Sequence, residues 1–378
     1  MAQASTYWLP LPSATQFRLL RLVLSPTLDR DALAAWTASV DLQTLDAGSV
    51  RLLPSLYLRL SEAGIDHPWL PIMRGWYRRS LYRNRLIIHR GLDLVRALES
   101  RGLRTLLLKG CPLVALYYKD PGVRPMGDFD LLIEDSHPRR DVEAILAEGC
   151  RATLRNRNLH ADTYLDADGF EYDLHWYLVP ELAIPGQAQA LWSSAIDVTI
   201  EGRHFSTLCA EDHLFHAIIH GMRVSDTPPL RWIVDVITIE RAAAESGRPV
   251  DWLAVAERAE RWAIAAPVAR GLGFLLDSGL LGEGAKAAHA ALAGAPHSDS
   301  LLFAGLMRAP GLAFRTLRPW LLYRRLARLS LSQGLVPEGF RRFLAELWNL
   351  DSPRQVPGVA WRKVLDQLRG PAEGQPRG

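Results

Sequence analysis

Between residues 14 and 100 the apolar positions cluster at helical spacing. Leu19, Leu20, Leu22, Val23 and Leu24 form one group, and Leu52, Leu53, Leu56, Leu58 and Leu60 a second. Ile87, Ile88, Leu92, Leu94 and Val95 form a third, with Pro68, Pro71 and Gly75 breaking the run in the middle. The pattern changes at Gly102. The run from Arg104 to Lys109 is short and apolar and predicts a buried strand ending at Gly110, with a helix over Cys111 to Tyr118 that tolerates Pro112 in its first turn. Asp120-Pro121-Gly122 marks a loop. A strand follows on Asp128-Phe129-Asp130-Leu131-Leu132-Ile133, then a helix over roughly 137–148, capped by Ser136 and ended by Gly149.

Downstream, Leu159 to Leu165 and Phe170 to Tyr177 flank the turn sequence Asp166-Ala167-Asp168-Gly169 and predict a hairpin. A second hairpin is expected around Glu201-Gly202, and helices from Ala210 to about residue 295. The last stretch is Arg-rich, with a frayed final ten residues. The elements predict an α+β protein, a small mixed sheet between helical N-terminal and C-terminal parts. The expected divisions are 1–100, 101–208, 209–300 and 301–378.

Alternation places the candidate chemistry. On a strand, Asp128 and Asp130 project to one face. Two adjacent carboxylates repel unless a cation sits between them, and hard divalent ions take such oxygen ligands together with substrate phosphates. On the return strand of the first hairpin, Glu171, Asp173 and His175 share a polar face, opposite Tyr172, Leu174 and Trp176.

Composition adds limits. A chain of 378 residues is long enough for two or three domains, and its net charge of +3 demands no nucleic-acid partner. Lysine occurs only at 109, 119, 286 and 363. Cys111, Cys150 and Cys209 show no metal-ligand or disulfide spacing, so a reducing cytoplasm is expected. The N-terminus has no basic start followed by an apolar core, so no signal peptide is expected. No transmembrane segment of about 18 apolar residues is present.

Taken in order, Leu108-Lys109-Gly110, Arg124-x-x-x-Asp128-Phe129-Asp130-Leu131-Leu132 and Asp173-Leu174-His175-Trp176 resemble the DNA polymerase β-like nucleotidyltransferase superfamily, and within it a bacterial branch of uncharacterised nucleotidyltransferases. The resemblance covers about residues 100–240. It implies a nucleotidyltransferase core at 101–208, with the helical domain at 209–300 completing a cleft. It also implies transfer of a nucleoside monophosphate from a nucleoside triphosphate to a hydroxyl of an unknown acceptor: small molecule, sugar, peptide or protein. Two Mg²⁺ ions, with Mn²⁺ as an alternative, would be held by Asp128, Asp130 and Asp173. Lys109, Gly110 and Arg124 would receive the phosphates, with Glu171, His175, His220 and Arg231 around them. Superfamily members usually carry Gly-Ser or Gly-Gly at the phosphate loop; Gly110-Cys111-Pro112 has lost the hydroxyl and one N–H. That departure keeps open a degenerate fold that binds nucleotide or a protein partner without turnover.

Other features read as structural. Cys111 is expected to pack, and Arg231 with Asp235 to form a buried i, i+4 pair. His213, His216 and His220 lie at helical spacing with no carboxylate placed for zinc, and are expected to be mostly structural. Arg315, Arg318, Arg324, Arg325 and Arg328 interleave with Leu317, Trp320, Leu321, Leu322 and Leu326. The expectation is a packed helix with a solvated Arg face; the alternative is an interaction protein that binds an acidic partner or a membrane surface through this region.

Overall fold

The computed structural model describes residues 11–223, 230–294, 302–303, 312–332 and 339–369. The chain is α+β, and the described residues hold seven strands in one mixed sheet. The N-terminal helices are α1 (Ala14–Leu24), α2 (Arg30–Ala38), α3 (Ala47–Val50), α4 (Leu53–Glu62) and the 30-residue α5 (Leu70–Glu99). Pro71 lies in the first turn of α5, where its missing N–H costs nothing, and Gly75 lies inside the helix rather than breaking it.

The sheet contains β1 (Thr105–Leu108), β2 (Phe129–Ile133), β3 (Ala152–Arg157), β4 (Ala161–Asp166), β5 (Glu171–His175), β6 (Ile196–Ile200) and β7 (Arg203–Thr207), in the order β3-β4-β5-β2-β1-β7-β6. Both expected hairpins form. Glu201 and Gly202 both take positive φ, 51° and 73°, the twist that two-residue hairpin turns require. β3 is an additional edge strand, largely exposed and paired to β4. Its sequence, Ala-Thr-Leu-Arg-Asn-Arg, carries no buried alternation, so its strand character comes from its partner.

α6 (Gly110–Leu113) continues as a π-helical turn to Tyr118. α7 (Arg139–Ile145) starts after Pro138 without a side-chain cap, and Ser136 donates to Glu134 Oε2 instead. The following π turn runs through Gly149 and stops at Arg151, which takes φ 50°. Then come α8 (Gln189–Ser193), α9 (Ala210–Gly221), α10 (Arg231–Glu245), α11 (Trp252–Arg261), α12 (Ala265–Asp277) and α13 (Lys286–Ala293).

Alternation divides the sheet's two faces between two cores. Leu106, Leu108 and Leu132 share a core with the N-terminal helices and α9–α12. Leu107, Phe129, Leu131, Ile133 and Leu174 pack with Ile87, Ile88, Leu92 and Val95 of α5. Gly91 of α5 is where Phe129 enters: a Cβ there would stand 2.1 Å from the Phe129 ring. Gly91→Ala is therefore expected to destabilise the protein by about 1–3 kcal/mol through overpacking, read as a lower denaturant midpoint. Because Phe129 sits between Asp128 and Asp130, the same change should disturb both carboxylates.

The helix Leu312–Ser332 departs from the expected solvated Arg face. Arg324 and Arg328 are exposed, but Arg325 is fully buried. Arg325 donates to the carbonyls of Glu181, Ala263 and Trp262 at 2.7–2.9 Å. The guanidinium thus ties this helix to the body of the fold. The side chain of Arg315 and the frayed tail lie outside the described residues. Among the described residues no helix is long and apolar enough to cross a membrane.

Candidate active site

α5 shapes the loop that delivers the aspartates. Asn84, fully buried, donates from Nδ2 to the carbonyls of Pro121 and Arg124 at 2.6 and 2.7 Å, and its Oδ1 accepts from Met126 N at 2.9 Å. Tyr77 donates to Asp120 Oδ2 at 2.9 Å and covers Gly122, where a Cβ would meet its ring at 2.3 Å. One helix therefore fixes both ends of the 120–126 segment and hence the start of β2.

Strand register assembles the centre. Asp130 on β2 lies opposite Asp173 on the parallel strand β5, Thr163 on β4 opposite Asp173, and Leu108 on β1 opposite Asp130. Asp130, Asp173 and His175 have ligand atoms within 4.8 Å of one another. Asp130 is 3% exposed, with Lys109 Nζ 2.6 Å and His175 Nε2 3.1 Å from its Oδ1. Asp173 accepts from Thr163 Oγ1 at 2.7 Å. Asp128 is half-buried, one residue before β2, and lies outside the three-residue cluster.

The three carboxyls are polarised against one another. Burial pushes Asp130 up, but the Lys109 ammonium and the His175 hydrogen bond outweigh it and hold it well below the carboxylate range. The Asp130 charge, then burial, raise Asp128. Burial, then the Asp130 charge, raise Asp173. One carboxylate is thus satisfied, while two neighbours would be relieved by a further cation.

The other expected site residues are placed differently. Arg124 is 5% exposed and grips Asp235 of α10 by two bonds, Nε–Oδ1 2.7 Å and Nη2–Oδ2 2.8 Å. Tyr118 donates to the same Oδ1 at 2.7 Å. Asp235 therefore pairs with Arg124 and not with Arg231, which donates to Pro125 O at 2.8 Å. Glu171 pairs with Arg155 at 2.6 Å on the β3 side of the sheet. Gly110 is buried, and Met126 occupies the space its Cβ would need, 2.8 Å away. Cys111 is buried, as expected.

A cavity of about 130 Å³ adjoins the cluster. Its wall carries Lys109, Arg51, Arg124, Arg223 and Arg231, with Asp235 the one carboxylate among its lining residues. The histidine stripe of α9 also faces it: His213, His216 and His220 all line the wall. His213 sits 3.3 Å from Thr207 Oγ1, whereas His216 is 3% exposed and its Nε2 has no protein partner. His220 lines the cavity with its side chain exposed. Burial, then the Lys109 charge, push His216 well below the ordinary histidine value, and burial takes His213 to about 3. Burial, then Arg124, lower Arg231 to about 10. A wall this cationic suits an anion.

The sequence signals for this wall were uneven. The His-x-x-His-x-x-x-His spacing marks one face of a helix, but periodicity alone does not tell a core face from a cavity face. Arg51 comes from the turn between α3 and α4 and Arg223 from just beyond α9, and no motif marks either.

The sequence matches the model of the "Uncharacterised nucleotidyltransferase" family over residues 47–275, well over half of the chain, and the protein belongs to that family. It is an enzyme of the nucleotidyltransferase class. No curated protein matches it significantly. Among solved structures it is similar to the antibiotic-resistance factor ANT(2'')-Ia, with 17% identity over 52% of this chain and 100% of that one, and a TM-score of 0.34. It is also similar to an antigenic nucleotidyltransferase-like protein from Paracoccidioides brasiliensis, with 18% identity over 40% of this chain and 75% of that one, and a TM-score of 0.29. Likenesses at these scores add nothing to the family assignment.

Proposed function

We infer that the enzyme transfers a nucleoside monophosphate from a nucleoside triphosphate to an acceptor hydroxyl, using Mg²⁺ or Mn²⁺ held by Asp130, Asp173 and Asp128. The carrying observation is adjacency: a carboxylate cluster and a cationic cavity meet at Lys109. The donor set fits hard divalent ions, because carboxylate oxygens dominate it and two of the three carboxyls are raised by their neighbours. Bound ions would lower the pKa of the acceptor hydroxyl and screen the phosphates, the chemistry that two-ion sites supply.

The protein's own groups account for the rest. Thr163 orients Asp173, and His175 with Lys109 holds Asp130 in one rotamer. Arg51, Arg223 and Arg231 offer charge to the β- and γ-phosphates, and neutral His216 offers a ring N–H without repelling a metal ion. These donors would stabilise the charge that develops on departing pyrophosphate. The three free cysteines accord with a reducing cytoplasm. The proposed divisions of the chain remain 1–100, 101–208, 209–300 and 301–378.

The test mixes the purified chain with α-labelled triphosphates, Mg²⁺ or Mn²⁺ and a panel of hydroxyl acceptors. Labelled product and pyrophosphate release are expected; triphosphate binding without either would instead favour the non-transferring fold that Cys111 and Pro112 suggest. His216→Phe is expected to raise the triphosphate KM about tenfold with kcat little changed, the loss of one well-made hydrogen bond.

A further inference from the structure

Lys109 has an unusual backbone. Its φ of 49° and ψ of −115° lie outside the regions that residues with a side chain normally adopt. Such conformations persist where surrounding structure over-determines them. Here Leu108 is fixed by its register with Asp130, and Gly110 is packed beneath Met126. The consequence is a lysine aimed at the carboxylates: Nζ lies 2.6 Å from Asp130 Oδ1 and 3.4 Å from His175 Nε2. The ammonium thus touches two of the three donors that form the candidate metal cluster.

A divalent cation on Asp130 Oδ1 would meet that ammonium at close range, where like charges repel strongly. The lysine has somewhere else to go. Its side chain is 20% exposed and also lines the cationic cavity.

We propose that Lys109 is an exchangeable cation: it neutralises Asp130 in the free enzyme and yields Asp130 Oδ1 to a divalent ion when a polyphosphate ligand in the cavity takes its ammonium. The nature of the cavity ligand rests on the nucleotidyl-transfer reading; the competition for Asp130 does not. Metal and polyphosphate then assist each other through one side chain, and the coupling is reciprocal. The free enzyme is protected from holding an idle metal ion, and Lys109 arrives at the phosphates as the metal arrives at the carboxylates.

Mn²⁺ binding to the full chain, followed by paramagnetic resonance of free Mn²⁺ with no nucleotide present, reads the competition without any activity assay. Lys109→Met is expected to bind Mn²⁺ at least tenfold more tightly than the wild type, and Asp130→Asn in the same background should abolish the gain. Arg51→Met removes a cavity charge that does not touch Asp130, and should change Mn²⁺ affinity less than threefold. Equal effects of Lys109→Met and Arg51→Met would reduce the role of Lys109 to general charge and overturn the proposal, as would an unchanged affinity in Lys109→Met.

A measurement on unaltered protein guards against a variant that fails to fold. The chain has four lysines, so ¹³Cε-lysine spectra are simple. The Lys109 signal, assigned through Lys109→Arg, should shift on adding Mg²⁺ with inorganic tripolyphosphate, while those of Lys119, Lys286 and Lys363 stay in place. A Lys109 signal that stays still at saturation overturns the exchange. Failure of nucleotidyl transfer with the Mn²⁺ competition intact would remove only the functional reading.

Discussion

Asp130→Asn is expected to lower the transfer rate by about three orders of magnitude, the effect of losing roughly 4 kcal/mol of transition-state stabilisation. The substitution keeps size and shape but removes the charge on which the cluster is built. Asp130 is opposite Asp173 in the sheet, is held ionised by Lys109, and contacts His175. Among the described residues no other carboxylate meets all three. The variant also leaves the Lys109 ammonium, mostly covered, without its counter-charge, so a stability loss of about 1–3 kcal/mol should accompany the kinetic one. Asp173→Asn separates the two effects. Its partner is the Thr163 hydroxyl, which can still donate to an amide oxygen, so the rate should fall comparably while stability changes little. Pyrophosphate release at saturating substrate, alongside denaturant unfolding, reads both. Rates within threefold of the wild type in both variants would remove the carboxylates from the chemistry.

The legibility of this centre in the sequence has a physical limit. Two-residue alternation was enough to place Asp130 on one face of β2 and Asp173 with His175 on one face of β5, because side-chain direction in a strand is a local property. Alternation could not show that β2 and β5 would be parallel neighbours in a register that sets Asp130 beside Asp173. It also placed Asp128 and Asp130 together on one strand face, whereas Asp128 stands just outside the strand. The α9 histidines illustrate a different limit. Their spacing declared one face of a helix, but whether that face met a core or a cavity depended on the N-terminal helices and the 120–126 loop, far away in sequence. The same applies to β3, whose polar residues become a strand only against β4.

Arg124 shows most clearly how tertiary pairing overrides a local reading. Its position before the aspartates suggested a phosphate donor, and the spacing of Arg231 and Asp235 suggested an i, i+4 pair. The structure joins Arg124 to Asp235 across 111 residues. Burial pushes the Asp235 carboxyl up, but the Arg124 charge and hydrogen bonds outweigh it and hold the carboxyl below its usual range. Asp235→Ala would leave a buried guanidinium with no counter-charge and Tyr118 without its acceptor, so a loss of about 3–5 kcal/mol is expected from denaturant unfolding. The sign of the pH dependence follows from the depressed pKa. The contribution of the pair is fully present above the unfolded carboxyl pKa of about 4 and is lost as the pH falls through the folded value. Wild-type stability should therefore decline more steeply in acid than that of Asp235→Ala. The double variant Arg124→Met with Asp235→Leu should recover much of the loss, since apolar replacement of a whole buried pair is often neutral. Recovery of stability without recovery of transfer would show that the pair holds the loop before β2 against α10 for function as well as for folding. A loss below about 1 kcal/mol in Asp235→Ala would mean that Arg124 finds other acceptors, and that the cleft can rearrange around it.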